Sequence, residues 1–182
     1  LHARALDEWR RRDRPPEGAR SAVLPQFLSP FRWLGLTEHA DSVHVAFFDV
    51  GPFARGVADP RPPARLAEVL QSLSDFYPPP ERMRVRRFPK PPSSAALEAA
   101  RALPDVEAYL RFARFPRATV RPASGGGTVI VWEDLRFLPW FAGPWGVDGN
   151  GALRRRPLLY RVRLDAAGRA LESAVVRTLS LR

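Results

Sequence analysis

The sequence contains no cysteine among its 182 residues. This excludes disulfides, thiol nucleophiles and the zinc or iron–sulfur sites that are built on cysteine. No apolar run approaches the roughly 18 residues that a membrane-spanning helix requires, so we predict a soluble chain. Lys90 is the only lysine, and the formal net charge of +10 therefore comes almost wholly from arginine. Such a basic surface favours anionic partners, lipid headgroups or nucleic acid, without choosing between them.

The length and the apolar content, 45% of the residues, are enough for one globular core. We predict a single soluble domain over residues 21–182. Residues 1–20 precede it as a charged helix, which Pro15 and Pro16 terminate, and a linker. The chain begins at Leu1 rather than Met, and we expect a segment upstream of it.

Alternation of apolar and polar residues predicts three β-hairpins. Residues 24–33 contain Pro25 and Pro30, so we predict an extended lead-in there, neither a helix nor a central strand. Residues 82–88 are expected to form a short edge strand, protected from further pairing by prolines and arginines. The hairpins are predicted over residues 33–38 with 42–50, 117–122 with 128–137, and 158–165 with 170–178.

Three segments in the middle of the chain have apolar residues at helical spacing. They cover residues 64–76, 94–102 and 104–113. Ser93 or Ser94 can cap the second, and Pro104 suits the first position of the third. Hairpins together with grouped helices predict an α+β fold, in which an antiparallel sheet built from hairpins carries two to three helices on one face.

The most informative stretch runs from residue 128 to residue 137. In a strand, Asp134 and Arg136 share one face with Trp132, because side chains alternate with period two. If that face is covered, the two charges must pair, since an isolated buried charge costs several kcal/mol. We favour a structural ion pair, and the alternative is a ligand or interface site beside Trp132.

The first helix places Trp9 next to a cluster of arginines, Arg10, Arg11 and Arg12. Two interpretations are about equally supported. The helix is either solvated or lies on a membrane surface, with Trp9 at the interface and the arginines facing lipid phosphates.

Familiar catalytic patterns are missing from the sequence. His39, Asp41 and His44 bring two imidazoles and a carboxylate close together, but their spacing crosses a predicted turn and matches no standard metal motif. We therefore favour surface histidines and predict no metal site in this chain. No nucleophile motif occurs, and nothing selects an acid/base pair. This segment alone does not look like a complete active site.

Five blocks in order nevertheless carry a family resemblance. Together they cover about residues 24–164, and the ordered set is more specific than any one block. The chain resembles the soluble C-terminal region of a bacterial family of membrane-bound, metal-dependent hydrolases of the inner membrane, associated with LexA binding. The blocks are Leu24-Pro-Gln-Phe-Leu-Ser-Pro-Phe-Arg-Trp33, Phe48-Asp49, Phe88-Pro-Lys-Pro91, Leu110-Arg-Phe-Ala-Arg-Phe-Pro116 and Trp132-Glu-Asp-Leu-Arg-Phe137.

The resemblance implies a context more than an activity. In that family a histidine-rich membrane region carries the hydrolase motif, and no position here matches that motif. It implies an upstream membrane region as partner, a divalent metal bound by the full-length protein rather than by this segment, and, from the arginines near residue 10, a place on the cytoplasmic face of the inner membrane.

Within that context we expect a substrate-recognition or regulatory domain. Its ligand candidates are Arg32, Trp33, Asp134 and Arg136, since guanidinium groups suit an anionic ligand. The alternative is a non-catalytic basic module that binds an anionic membrane surface or, less favoured, nucleic acid.

Overall fold

The computed structural model of the chain describes residues 1–26, 29–52, 74–137 and 158–176. These residues group into two compact units, the first ending at Phe88 and the second beginning at Pro89. Each unit contains a four-stranded sheet in which the strands follow one another in chain order.

The first unit begins with helix α1, His2–Asp13. Three strands follow, β1 Ser21–Gln26, β2 Ser29–Glu38 and β3 Ser42–Asp49. Their two pairings are antiparallel, and β4, Arg86–Pro89, lies next to β3.

The core of the first unit forms where α1 crosses the sheet. Ala5 and Trp9 are both fully buried, one helical turn apart on the same face of α1. The indole of Trp9 lies directly over Gly35 of β2, where a Cβ atom would overlap the ring. Its Nε1 donates a hydrogen bond to Thr37 Oγ1 at 2.9 Å. The other core residues are Val23, Trp33, Ala46, Phe48, Val50 and Met83.

The second unit opens with two short helices, α2 Ala95–Arg101 and α3 Pro104–Phe112. Ser94 caps α2, since its Oγ accepts a hydrogen bond from Leu97 N at 3.3 Å. Pro104 occupies the start of α3, where its missing N–H costs nothing. The strands are β5 Pro116–Pro122, β6 Thr128–Asp134, β7 Leu159–Leu164 and β8 Ala170–Val176, paired antiparallel in that order.

Both helices of the second unit pack on its sheet. Leu97 of α2 and Val106 of α3 meet Ile130 and Trp132 of β6 in one buried cluster. The Tyr109 hydroxyl donates to the carbonyl of Leu158 at 2.9 Å. Burial raises the pKa of Tyr109 above its usual value, and the nearby carboxylates of Asp134 and Glu133 raise it further.

The predicted α+β class is confirmed, and so are the three hairpins. The prediction for residues 24–33 was wrong. Residues 21–26 form β1, and Pro30 lies within β2, between β1 and β3. Pro30 is tolerated because pairing of β2 with β3 begins only at Arg32, so the proline removes no hydrogen bond from that ladder.

Helix α1 packs into the first core and groups with residues up to Phe88. The division into a segment over residues 1–20 and a domain over residues 21–182 stays a prediction. Of the predicted helix at residues 64–76, only residues 74–76 are described, and they are helical. The tryptophan, glycine and proline residues at 138–150 predict an irregular loop, which lies outside the described residues.

Candidate functional site

A cavity of about 440 Å³ opens on the first unit, and three arginines line it. The three prolines at residues 78–80 lead into a 3-10 turn, Pro80–Arg82, and the chain then runs extended into β4. Side chains alternate along this extended backbone. Met83 is accordingly buried in the core, whereas Arg82, Arg84 and Arg86 are exposed and face the cavity.

Aromatic rings form another wall of this cavity. Phe47 of β3 packs on Phe76 with ring centroids 4.6 Å apart, and both line the space. Tyr77 contacts both phenylalanines edge-on, at 5.8 and 4.9 Å. Burial raises the pKa of Tyr77 to about 12, and the positive charge of Arg32 partly opposes that rise. The remaining lining residues are Ser74, Asp75, Pro78 and Pro79.

The charge of this cavity is predominantly positive. Three guanidinium groups and one carboxylate, that of Asp75, line it, which leaves two positive charges in excess. In the described part of the chain no carboxylate lies within ion-pair distance of Arg82, Arg84 or Arg86. The three side chains are therefore available to an anion, and the aromatic wall offers apolar contact to the rest of a ligand.

Arg32, a predicted ligand residue, lies near this cavity but does not line it. Its Nε is 3.6 Å from Asp49 Oδ2 on the paired strand, and its guanidinium carbon is 5.4 Å from the centre of the Tyr77 ring. The Nε atom is buried, and none of the described residues accepts a hydrogen bond from it. Arg32 thus contacts Tyr77, which packs on the two phenylalanines of the cavity.

Trp33 follows Arg32 in β2 and points to the opposite face. It is 5% exposed and belongs to the first core, with the His2 ring edge-on at 5.7 Å. Its indole N–H is buried and finds no acceptor within the described ranges. Arg32 and Trp33 are therefore not brought together as one site.

Asp134 and Arg136 pair in the second unit as predicted, but Arg136 lies in a 3-10 turn, Leu135–Phe137, and not in the predicted strand, since β6 ends at Asp134. The Asp134 side chain is fully buried, and its oxygens accept hydrogen bonds from the backbone N–H groups of Arg114, Phe115 and Arg136. Arg136 Nε donates to it at 2.7 Å, and another guanidinium nitrogen donates to the carbonyl of Phe112 at 3.0 Å. The pair has little capacity left for a ligand, and the geometry is that of a structural ion pair.

The residues predicted as membrane-surface candidates on the first helix differ in their exposure. Trp9 is fully buried and hydrogen-bonded within the protein, so it is not available for insertion at a lipid interface, which corrects that prediction for Trp9. Arg10, Arg11 and Arg12 are exposed. Arg11 also donates to Glu8 at 2.8 Å, a surface pair that contributes little to stability.

A second group of polar side chains lies at the C-terminal end of α1. Asp13 lies one turn beyond Trp9 on the buried face of the helix, and its side chain is 1% exposed. His44 Nδ1 is 2.7 Å from Asp13 Oδ1, and His39 Nε2 is 3.2 Å from Asp13 Oδ2. The two imidazole rings lie with their centroids 3.8 Å apart and their planes tilted by 32°.

Two periodicities bring these three residues together. Ala5, Trp9 and Asp13 repeat every four positions along α1, so they share one face of the helix. His39 follows the last residue of β2, two positions after Thr37, and His44 is the partner of Thr37 on β3. Since Trp9 is bonded to Thr37, the next turn of the helix carries Asp13 to the two histidines.

In the sequence, the carboxylate that lies between His39 and His44 is that of Asp41, but the structure brings Asp13 to the two imidazoles instead. Asp41 lies in the turn, is exposed and accepts a hydrogen bond from Ser42 Oγ at 2.8 Å, which lowers the pKa of Asp41. Asp13 is 26 and 31 residues away from the histidines, so no local spacing indicated it. The stripe of residues 5, 9 and 13 on α1 was the available signal.

Comparisons with known proteins do not identify the chain: no family model matches it, and neither a curated protein nor a solved structure is significantly similar to it. None of the helices that the described residues form has both the length and the hydropathy needed to cross a membrane. The function is therefore inferred from the arginine-lined cavity and the other side-chain groups described above.

Proposed function

We propose that this chain is a recognition domain that binds an anionic ligand, of the phosphate or carboxylate type, in the arginine-lined cavity of its first unit. The observation that carries the proposal is the group of three guanidinium side chains, Arg82, Arg84 and Arg86, which outnumber the one carboxylate that lines the cavity, that of Asp75. Guanidinium groups bind phosphate and carboxylate through paired, charge-assisted hydrogen bonds.

The size of the cavity and the composition of its walls narrow the class of ligand. A volume of about 440 Å³ is within the usual range for small-molecule sites. Phe47 and Phe76 offer flat apolar surface beside the arginines. The best match is therefore a small molecule that combines an anionic group with an aromatic or apolar part.

In the wider context, we propose that this domain serves a membrane-anchored, metal-dependent hydrolase at the cytoplasmic face of the inner membrane. The support for this context is the family resemblance of the five sequence blocks. In that arrangement the cavity selects substrate or an effector, and the upstream membrane region supplies the hydrolytic metal site.

The test measures binding of phenyl phosphate to the purified chain by calorimetry. Inorganic phosphate and benzyl alcohol serve as the anionic and the aromatic half of the probe. We expect phenyl phosphate to bind more tightly than either half. Replacing both Arg84 and Arg86 by Gln should weaken its binding at least about tenfold, because charge-assisted hydrogen bonds contribute about 1.5 to 3 kcal/mol each.

Arg87→Gln is the matched control, since Arg87 is an equally exposed neighbour that does not line the cavity. It should change the affinity less than about twofold, an effect of long-range charge that salt screens. Equal weakening by the control and the double variant would reduce the effect to general basicity. Failure of the wild-type chain to bind phenyl phosphate would contradict the proposal.

A second candidate function is supported by a different surface, the exposed arginines at the end of α1. Arg10, Arg11 and Arg12 form a basic cluster suited to anionic lipid headgroups or, as the less favoured partner, nucleic acid. Vesicle binding by the wild-type chain and by its variants distinguishes the two candidate functions. Binding to anionic vesicles that is lost when these three arginines become Gln, and that survives the Arg84 and Arg86 changes, supports the basic module.

A further inference from the structure

We propose that Asp13, His39 and His44 form a binding site for one divalent transition-metal ion, with zinc as the reference ion. This site is separate from the anion cavity, and neither proposal depends on the other. Its three potential ligand atoms all lie within 4.8 Å of one another.

The donor set suits such an ion. Imidazole nitrogen with one carboxylate oxygen is a common protein environment for zinc and for other first-row divalent metals. Two histidines and one carboxylate occupy three coordination positions, and at least one position remains for water or a substrate. Sites of that composition are typically catalytic rather than structural.

The distances are also close to those of an occupied site. Ligand atoms around a tetrahedral zinc ion lie about 3.3 Å apart, given bonds of about 2.0 to 2.1 Å. The separation of His39 Nε2 from Asp13 Oδ2, 3.2 Å, already matches. The 2.7 Å contact of His44 Nδ1 is to the other carboxylate oxygen, Oδ1, so one ion bound to a single oxygen of Asp13 requires rotation of the carboxylate.

The surrounding protein holds the three residues in place. Trp9, one turn before Asp13, is fixed to Thr37, which in turn is the cross-strand partner of His44. The side chains of Asp13, His39 and His44 are 1%, 16% and 10% exposed, so the site is largely shielded from solvent, and His39 is its most exposed side chain. A metal ion bound there would be shielded from most of the solvent and still reachable.

The alternative is a hydrogen-bond network without a metal, in which the two imidazoles donate to the carboxylate. That network only fastens α1 to the hairpin. It predicts no affinity for metal ions beyond that of isolated surface histidines, so the two interpretations differ in a measurable way.

The experiment titrates the metal-free chain with Co²⁺, which gives visible absorption bands when protein ligands bind it. We expect one equivalent of Co²⁺ to bind the wild-type chain and Zn²⁺ to displace it. Asp13→Asn and His44→Gln should each weaken the binding at least about tenfold, since loss of even an outer contact to a metal ligand costs 10-fold to 100-fold.

Two control variants are available in the same unit. His2→Gln removes the third histidine of the chain, which contacts Trp33 instead, and Asp41→Asn removes the carboxylate in the turn. Both should retain the wild-type affinity within about twofold. Circular dichroism shows whether each variant is folded.

A measurement on the wild-type chain keeps the test independent of folding in the variants. Paramagnetic Co²⁺ should broaden the ring proton signals of His39 and His44 in nuclear magnetic resonance spectra and leave those of His2 sharp. Broadening at His2 alone, no Co²⁺ band in the wild type, or a band undiminished in a folded Asp13→Asn variant would each overturn the proposal.

Discussion

The two units solve the same problem, a nearly fully buried carboxylate, in different ways. In the second unit, Asp134 is surrounded by three backbone N–H groups and the guanidinium of Arg136. In the first unit, Asp13 contacts two imidazoles. A carboxylate bonded to backbone and arginine has a permanent partner, whereas imidazoles change their protonation and bind metals. Asp134 therefore belongs to a structural pair, and Asp13 to the metal site that we propose.

The units also differ in how their helices are fastened to the sheet. In the second unit, several aliphatic side chains and Tyr109 share the contact. In the first unit, one large ring, that of Trp9, fits over Gly35 and is hydrogen-bonded to Thr37. In the second unit the packing is thus spread over many residues. In the first unit one large ring makes the contact beside the small side chain of Ala5.

The largest expected effect on stability comes from removing the carboxylate of Asp134, which Arg136 binds. Asp134→Ala leaves Arg136 and three backbone donors without their acceptor, so we expect the free energy of unfolding to fall by about 3 to 5 kcal/mol. Urea denaturation followed by circular dichroism measures the change. A variant that unfolds at the wild-type urea concentration would contradict the structural role of the pair.

Asp13→Ala serves as the matched substitution for that experiment. It removes two hydrogen bonds but leaves imidazoles that can be neutral, so we expect a smaller loss, about 1 to 3 kcal/mol in the absence of metal. Equal losses for the two variants would remove the distinction between the two carboxylates.

The packing difference is tested at Gly35. A methyl group in Gly35→Ala would overlap the Trp9 ring, and overpacking of this kind costs about 1 to 3 kcal/mol. The measurement is the free energy of unfolding of the single variant and of a double variant that also carries Trp9→Leu. If the ring is the cause, the cost of the added methyl should shrink in the Trp9→Leu background, and an unchanged cost would place the strain elsewhere.

The smallest expected effect concerns Tyr77 in alkaline solution. Its pKa is raised to about 12 in the folded chain, against an ordinary value near 10. The unfolded chain therefore loses this proton first, and the contribution to stability, complete below about pH 10, decreases as the pH rises to about 12. Tyrosinate absorbance measures the titration.

The control for Tyr77 is the variant Tyr77→Phe. We expect it to lose one of the late-titrating groups and to keep that of Tyr109, whose pKa is also raised by burial. A Tyr77 that titrates near pH 10 in the folded protein would mean that its hydroxyl is not buried against the aromatic wall.

Much of the fold was accessible from sequence because it depends on local patterns. The alternation at residues 158–165 and 170–178 predicted β7 and β8, and the serine and proline before the two middle helices predicted their starts. The strand β1 was missed, because Pro25 and Pro30 were taken to exclude regular pairing, although both positions lie where no hydrogen bond to β3 is lost.

The candidate sites were less predictable. Arg84 and Arg86 were interpreted as charges that protect a sheet edge, and their role in lining a cavity depends on Phe47, which comes from β3. Trp9 was a candidate for a membrane surface, beside the alternative of a solvated helix, because a tryptophan next to arginines is typical of such a surface. Only the position of α1 against β2 shows that the ring is buried.

From composition and periodicity alone follow a basic, cysteine-free α+β chain, its hairpins, and the pairing of Asp134 with Arg136, because each of these depends on residues close together in the chain. The meeting of Asp13 with His39 and His44, and the convergence of three arginines on two phenylalanines, required the packed molecule. Contacts between distant segments depend on how a helix lies across a sheet, and no local spacing encodes that arrangement.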